Sequence, residues 1–301
     1  MHFHLFSLSE FAALSRFVIA GKDGAECSPA IKAREIIMNP LNAQSHRSDP
    51  RILGRRTLER DHRTLARLLR PGLLVLDVGC GTGAITAGIA RMVGAQGRVV
   101  GVDRDERLLE LAREGHRECS NLQFEKTDAT SLPYCAKYDI VTAARTLQWI
   151  SDPRLAISKM KDAAKPGGLL VIMDYNHTKN EWAPDPPPAF HHFYRAFLDW
   201  RDANGWDNEM ADHLPGLLEQ AGLLDIRSGV EDEIAARGEA DFVERARLWS
   251  EVIENLGEPI SKAGFCTESE LRAAHESYSH WVETSLEKQR LALRAVIGRV
   301  A

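Results

Sequence analysis

Three glycines at alternate positions, Gly79, Gly81 and Gly83, follow the acid Asp77 at the end of the apolar run Leu73–Leu76. A loop of this composition can reach positive φ and leave backbone N–H groups open to a ligand, with no Cβ atoms in the way. The spacing Gly79-x-Gly81-x-x-Ala84 also satisfies the dinucleotide fingerprint with alanine in the last place. Asp77 helps to separate the two, because negative charge at the strand mouth suits an ammonium-bearing ligand better than a pyrophosphate. Asp103 lies 20 residues beyond Gly83, a distance that places an acid to accept both ribose hydroxyls of an adenosine-containing ligand of either kind. His177 directly follows a later strand-like run, and imidazole is the side chain best poised near neutral pH to exchange a proton. An exposed turn histidine is the competing reading. His191, His192 and His213 are further candidates, and the spacing Asp174…His177 makes no metal site.

These residues need a scaffold, and the periodicity describes one. Leu73–Val78 is too short for a helix of its own and reads as a buried parallel strand. Ala84–Val93 has helical spacing, and Gly94 stands where a C-terminal cap is expected. Strands follow at 98–103, 121–125, 138–144 and 169–175, with helices at 105–114 and 152–165 between them. Upstream, Asp49-Pro50 is a helix start, and the helix is expected to run to Leu69 before Pro71-Gly72 stops it. On that helix Arg55, Glu59 and Arg63 at i,i+4 spacing read as a solvated face. Beyond His177 come Pro186-Pro187-Pro188 and an aromatic stripe, Phe190 to Trp200, that predicts a loop and then an amphipathic helix. A helix at 214–221, a sixth strand at 223–235, and helices at 239–256 and 267–286 complete the reading, the last started by the capping box Thr267-x-x-Glu270. Arg290–Val300 alternates and suits an edge strand.

The stretch Leu-Asp-Val-Gly-Cys-Gly-Thr-Gly, residues 76–83, resembles the first motif of the class I S-adenosylmethionine-dependent methyltransferases. Lys165-Pro166-Gly167-Gly168 matches a further hallmark of that family, so the resemblance spans about Pro71 to His177. It implies an α/β, Rossmann-like sheet of seven mostly parallel strands, with helices on both faces and an antiparallel last strand. Helical lid insertions are then expected at about 178–211 and 236–286. It also implies S-adenosyl-L-methionine as cofactor, held by Asp77, Gly79, Cys80, Gly81, Gly83, Asp103, Arg104, Asp128, Ala129 and Arg145. An acid at the place of Asp128 accepts from the adenine amino group in that family, although a turn or cap aspartate would look the same in sequence. The Asn/Asp-Pro-Pro-aromatic tetrad of base and amide methyltransferases is absent. Arg145–Ile150 instead is similar to the strand end of the ubiquinone and trans-aconitate type, which implies a small organic acceptor methylated on O, N or C. Gln148, Trp149, Trp182, Tyr194 and Trp206 are the expected acceptor contacts and His177 the candidate base. A sulfonium-binding protein with another reaction, a binding module and an NAD(P)-dependent enzyme remain as alternatives.

With 301 residues and 44% apolar content the chain can bury a substantial core. No run of about 18 apolar residues is present to span a membrane, and the first twenty residues lack a basic start, so a cytoplasmic protein is expected. Net charge is −5, from 43 acidic and 38 basic residues, which makes nucleic acid a poor partner. The five cysteines are scattered without a C-x-x-C pair, against a disulfide framework or a zinc site. Residues 1–50 read as an appendage ending in a polar linker, ahead of a main domain at 51–301. Leu8, Phe11, Ser15 and Val18 fall on one side of a possible helix there, which could pack on the domain or pair two copies in a homodimer.

Overall fold

The structure, a computed structural model, describes residues 48–301. The expected helix with Leu8 and Phe11, and any pairing of two copies through it, lie outside the described residues. Asp49 does start a helix: its carboxylate accepts from the Arg51 backbone N–H at 2.8 Å, with Pro50 in the first turn of α1 (Pro50–Gly54). That helix does not continue to Leu69. Thr57 is extended and caps α2 (Leu58–Asp61), while Asp61 accepts from the Thr57 N–H at 2.7 Å, and His62 at φ −154° breaks the chain again before α3 (Arg63–Leu68). The local caps outcompete one long helix. Arg55 and Arg63 therefore share no solvated face with Glu59. Arg55 pairs with Glu251, and Arg63 with Glu231 at 3.1 Å.

The core follows the expected order: β1 (Leu74–Val78), α4 (Ala84–Val93), β2 (Arg98–Asp103), α5 (Glu106–Gly115), β3 (Leu122–Lys126), β4 (Tyr138–Ala144), α6 (Pro153–Ala163) and β5 (Ala164–Tyr175). Asp105 and Asp152 cap α5 and α6 through their side chains. Lys165–Gly168 does not precede β5 but lies inside it, as a bulge at which the register jumps from Tyr138↔Ala164 to Ile140↔Leu169, with Gly167 at φ +78°. Next come β6 (Glu181–Ala183), α7 (Pro188–Ala203), α8 (Met210–Gln220), β7 (Leu224–Val230), β8 (Glu233–Ala236), α9 (Phe242–Ala246), α10 (Leu248–Lys262), α11 (Glu268–Thr284), β9 (Lys288–Leu291) and β10 (Leu293–Arg299).

Seven strands form the main sheet in the order β3-β2-β1-β4-β5-β10-β7, parallel through β5, with β10 antiparallel to both neighbours. Two expectations need correction. The C-terminal strand is interior rather than at the edge: Leu293, Ala295 and Val296 are buried, whereas β7 exposes Leu224 and Val230 and forms the edge. The single strand expected over 223–235 is two, because Asp232 turns away to accept from the Leu293 N–H at 2.9 Å and β8 joins a separate small sheet, β6-β9-β8. Above the sheet, Phe190 of α7 stacks on Tyr278 of α11 at 4.3 Å, and Trp249 of α10 meets Phe197 edge-on at 5.4 Å. The aromatic stripe is thus mainly the core of a helical layer. No described helix is long and apolar enough to cross a membrane.

Candidate active site

The glycine loop follows β1 as expected. Gly79, Gly81 and Gly83 take φ of +75°, +56° and +74°. Space as well as conformation requires glycine, since a Cβ would lie 2.3 Å from Thr146 Oγ1 at Gly79 and 2.5 Å from Phe124 Cζ at Gly83. At Gly81 it would lie 2.8 Å from Leu53 Cδ1 of α1, so the segment before β1 roofs the loop. Gly79 and Cys80 donate to the Val102 carbonyl, and Gly81 donates to Asp103 Oδ2 at 2.9 Å, which ties the loop to the end of β2. Asp103 Oδ1 also accepts from Asp105 N, and burial raises its carboxyl above the ordinary value. Asp77 is 4% exposed and accepts from Thr86 Oγ1 at 2.7 Å. Burial, reinforced by the nearby Asp103 charge, pushes its carboxyl up to about 6. Burial likewise keeps the Cys80 thiol protonated.

Other expected cofactor residues take visible local roles. Asp128 accepts from the Thr130 N–H at 2.8 Å and from Thr130 Oγ1 at 2.6 Å, capping the short turn that holds Ala129. Arg104 is exposed beside Asp103. Arg145, in the left-handed region at φ +58°, sends its guanidinium under the site to Glu233, the Tyr175 hydroxyl at 3.1 Å and the Asp61 carbonyl at 3.1 Å. These groups hold it charged despite burial.

Beside the loop lies a chamber of about 110 Å³ walled by Leu53, Gln148, Trp149, Tyr175, His177, Phe197 and Trp249, among others. Leu53 belongs to both places, so loop and chamber share a wall. His177 is no exposed turn residue. It is 6% exposed, stacked on Tyr175 at 5.1 Å and edged by Phe197 and Trp249. Its Nε2 lies 2.6 Å from Gln148 Oε1, and Gln148 Nε2 donates to the Arg145 carbonyl. The network therefore assigns the proton to Nε2 and leaves Nδ1 a buried lone pair with no partner among the described residues. Burial and the Arg201 charge hold the imidazole well below its usual range, so it is neutral. Asp174 fixes the same wall from behind: fully buried, it accepts from the Gln148 and Tyr175 N–H groups, and burial pushes its carboxyl up to about 7.

Of the expected acceptor contacts, Gln148 and Trp149 line the chamber. The other three stand behind its wall. Tyr194 donates to the His177 carbonyl at 2.6 Å and accepts from Asn180; Trp182 donates to Gln289 at 2.9 Å; Trp206 packs edge-on against Trp149 at 5.2 Å. Sequence reasoning missed Leu53, Arg56 and Trp249, all of which line the chamber. Leu53 and Arg56 were hidden in a stretch that reads as a solvated basic helix, and Trp249 in an ordinary amphipathic one.

The match to known proteins coincides with this geometry: residues 69–214 fit the family model of a methyltransferase domain. That stretch is similar to methyltransferase domains. The chain is 34% identical over 116 residues to the ubiquinone/menaquinone biosynthesis C-methyltransferase of Teredinibacter turnerae, across 37% of this chain and 47% of that one. The chain thus spans about half the length of that relative. It is 28% identical over 178 residues to the demethylmenaquinone methyltransferase of Staphylococcus haemolyticus, covering 53% and 72%. Among solved structures, a phosphoethanolamine N-methyltransferase of Haemonchus contortus superposes with a TM-score of 0.52 at 17% identity, over 80% of this chain and 52% of that chain. The YcgJ protein of a Bacillus does so with 0.51 at 15%, over 79% and 97%. At such identities the likeness is one of fold.

Proposed function

We propose that the chain transfers a methyl group from S-adenosyl-L-methionine to a small, partly apolar organic acceptor. One observation carries the reading: a glycine cradle that a Cβ would fill shares a wall with an aromatic chamber in which a neutral histidine keeps an unpartnered nitrogen lone pair. The residues fit the cofactor. Asp103, at the end of β2, is a carboxylate positioned for a ribose diol, the glycine loop admits close approach of a ligand to the backbone, and ionised Asp77 suits an ammonium group. Bound there, the cofactor supplies a methyl group on a sulfonium. The protein's share is then alignment and exclusion of water, which the walls of Trp149, Tyr175, Phe197 and Trp249 perform. His177 Nδ1 accepts a hydrogen bond from the acceptor's nucleophile and takes its proton as the bond to carbon forms. Its depressed basicity restricts that role to an acidic hydroxyl, amine or activated carbon. Tyr194 steadies the residue through its carbonyl. The relatives named for quinone biosynthesis support a ring-sized acceptor, for which the chamber has the dimensions.

Calorimetric titration with S-adenosylmethionine, S-adenosylhomocysteine and NAD, followed by transfer of labelled methyl to a library of phenols, quinols, amines and carboxylic acids, tests the reading. Binding of NAD in preference to both sulfur nucleotides would overturn the cofactor; tight cofactor binding without transfer to any class would leave a sulfonium-binding protein.

A further inference from the structure

The chamber shares Ile52, Arg56, Tyr175, Leu248 and Leu291 with a neighbouring cleft of about 190 Å³, so Arg56 lines both. Arginine is abundant here, and the other guanidiniums around the two spaces have carboxylate partners. Arg55 pairs with Glu251, Arg60 with Asp61, Arg63 with Glu231, Arg145 with Glu233 and Arg245 with Glu239. Among the described residues Arg56 has no ion pair and no side-chain hydrogen bond, and its backbone N–H donates to the Leu53 carbonyl at 3.3 Å. An arginine stays protonated in proteins, so Arg56 is a half-buried cation with no protein acceptor beside a largely apolar space. Burial and the like charge of Arg145 act against its charged form, opposed by the fields of Tyr175, Glu233 and Asp61.

Resting on the methyltransferase reading, we propose that Arg56 is the anion-binding residue of the acceptor pocket and that the acceptor is a small acid, a carboxylate or acidic hydroxyl on a ring-sized apolar body. The cofactor's own carboxylate shares this chemistry. Position favours the acceptor: Arg56 lines the chamber together with His177 and Trp249, and the cleft together with Tyr175 and Glu233, and no residue of the glycine loop lines either space. His177, with its free nitrogen, lines the same chamber as this cation, so an acid anchored at Arg56 can present a second polar atom to Nδ1.

The test uses benzoate and 4-hydroxybenzoate against their neutral counterparts benzamide and methyl benzoate, titrated into the protein with and without S-adenosylhomocysteine. The proposal expects the acids to bind at least about tenfold more tightly than the neutral probes, the scale of one charge-assisted contact. Arg56→Gln should abolish that preference and leave the neutral probes and S-adenosylmethionine affinity unchanged, while Arg56→Lys should restore part of it; circular dichroism checks that both variants fold. Equal binding of acids and neutral probes by the unaltered protein, or no binding of any of them up to millimolar concentration, overturns the proposal. So does an Arg56→Gln variant that loses affinity for S-adenosylmethionine yet keeps the acid preference, because the partner is then the donor's carboxylate. Failure of the cofactor itself to bind counts against the methyltransferase reading, and the acid preference is still read without it.

Discussion

The roles proposed for Asp77, Asp103 and His177 differ, and each can be tested singly. Asp103→Ala removes a charged acceptor for two hydroxyls, so affinity for S-adenosylmethionine should fall by about 1.5–3 kcal/mol in calorimetry. Asp77 titrates near 6 in the folded chain. A ligand ammonium favours its ionised form, so affinity should rise as pH increases from 5 to 7, and Asp77→Asn should flatten that dependence. The stability effect has the opposite sense. Asp77 and Asp174 have folded values of about 6 and about 7, above the ordinary carboxylate value, so their contribution is full below pH 4 and is lost as pH rises through 6 and 7. Urea unfolding should show this loss, on the order of 3–4 kcal/mol per group, and Asp174→Asn should remove its part. His177 is held neutral, so turnover should show no step near pH 6.5 from this residue. His177→Ala should lower turnover by about two to four orders of magnitude with donor affinity nearly intact, and the loss should shrink as pH approaches the acceptor's own pKa. Near-normal turnover in that variant would leave catalysis to proximity and desolvation.

At the level of elements, β1, the glycine loop and α4 act as one rigid piece clamped by its neighbours. Gly81→Val puts a branched side chain at φ +56° against Leu53, so cofactor binding should be lost while far-ultraviolet circular dichroism is unchanged. Normal binding by that variant would contradict the close approach. The roof over this loop, α1, is fastened to α10 by Arg51–Glu254 at 3.2 Å and by Arg55–Glu251. These are partly exposed pairs, each contributing roughly 0–1 kcal/mol, so the apolar contact of Ile52 and Leu53 with the chamber holds α1 more than its charges do. At the other end, Thr267 and Glu270 form a reciprocal capping box that starts α11. Thr267→Ala should cost ~1 kcal/mol of stability by chemical denaturation without altering donor affinity.

At the scale of the whole molecule, the proposed site draws on two layers, with the sheet carrying the glycine cradle and the helices α7 and α10 lining much of the chamber proposed for the acceptor. Changes in the two layers should therefore separate. Tyr194→Ala leaves the cradle untouched but frees the His177 carbonyl, so donor binding should persist and turnover fall. Were alanine changes across 180–210 all to leave acceptor kinetics unaltered, the acceptor would have to bind elsewhere. The buried aromatics also hold the layers together: Trp249→Ala, at 3% exposure, should destabilise the chain by about 3–5 kcal/mol as well as open the chamber.

Short-range chemistry made the core legible in the sequence. The apolar run to Asp77, the glycines and the caps at Asp49 and Thr267 each depend on neighbours a few residues away. The strand at 138–144 and the helix at 84–93 stand where periodicity puts them for the same reason. Tertiary structure decided what depends on distant partners. Alternation in Arg290–Val300 cannot reveal whether one neighbour or two will cover the strand, and pairing with β5 and β7 made it interior. The helix expected to Leu69 broke where Thr57 and Asp61 found each other. His177 became a buried neutral base candidate because Gln148, Tyr175 and Trp249 close around it, and Arg56 became an unpaired cation because its neighbouring arginines took the available carboxylates. Burial and pairing across long sequence separations set these properties, and no local pattern of residue types encodes them.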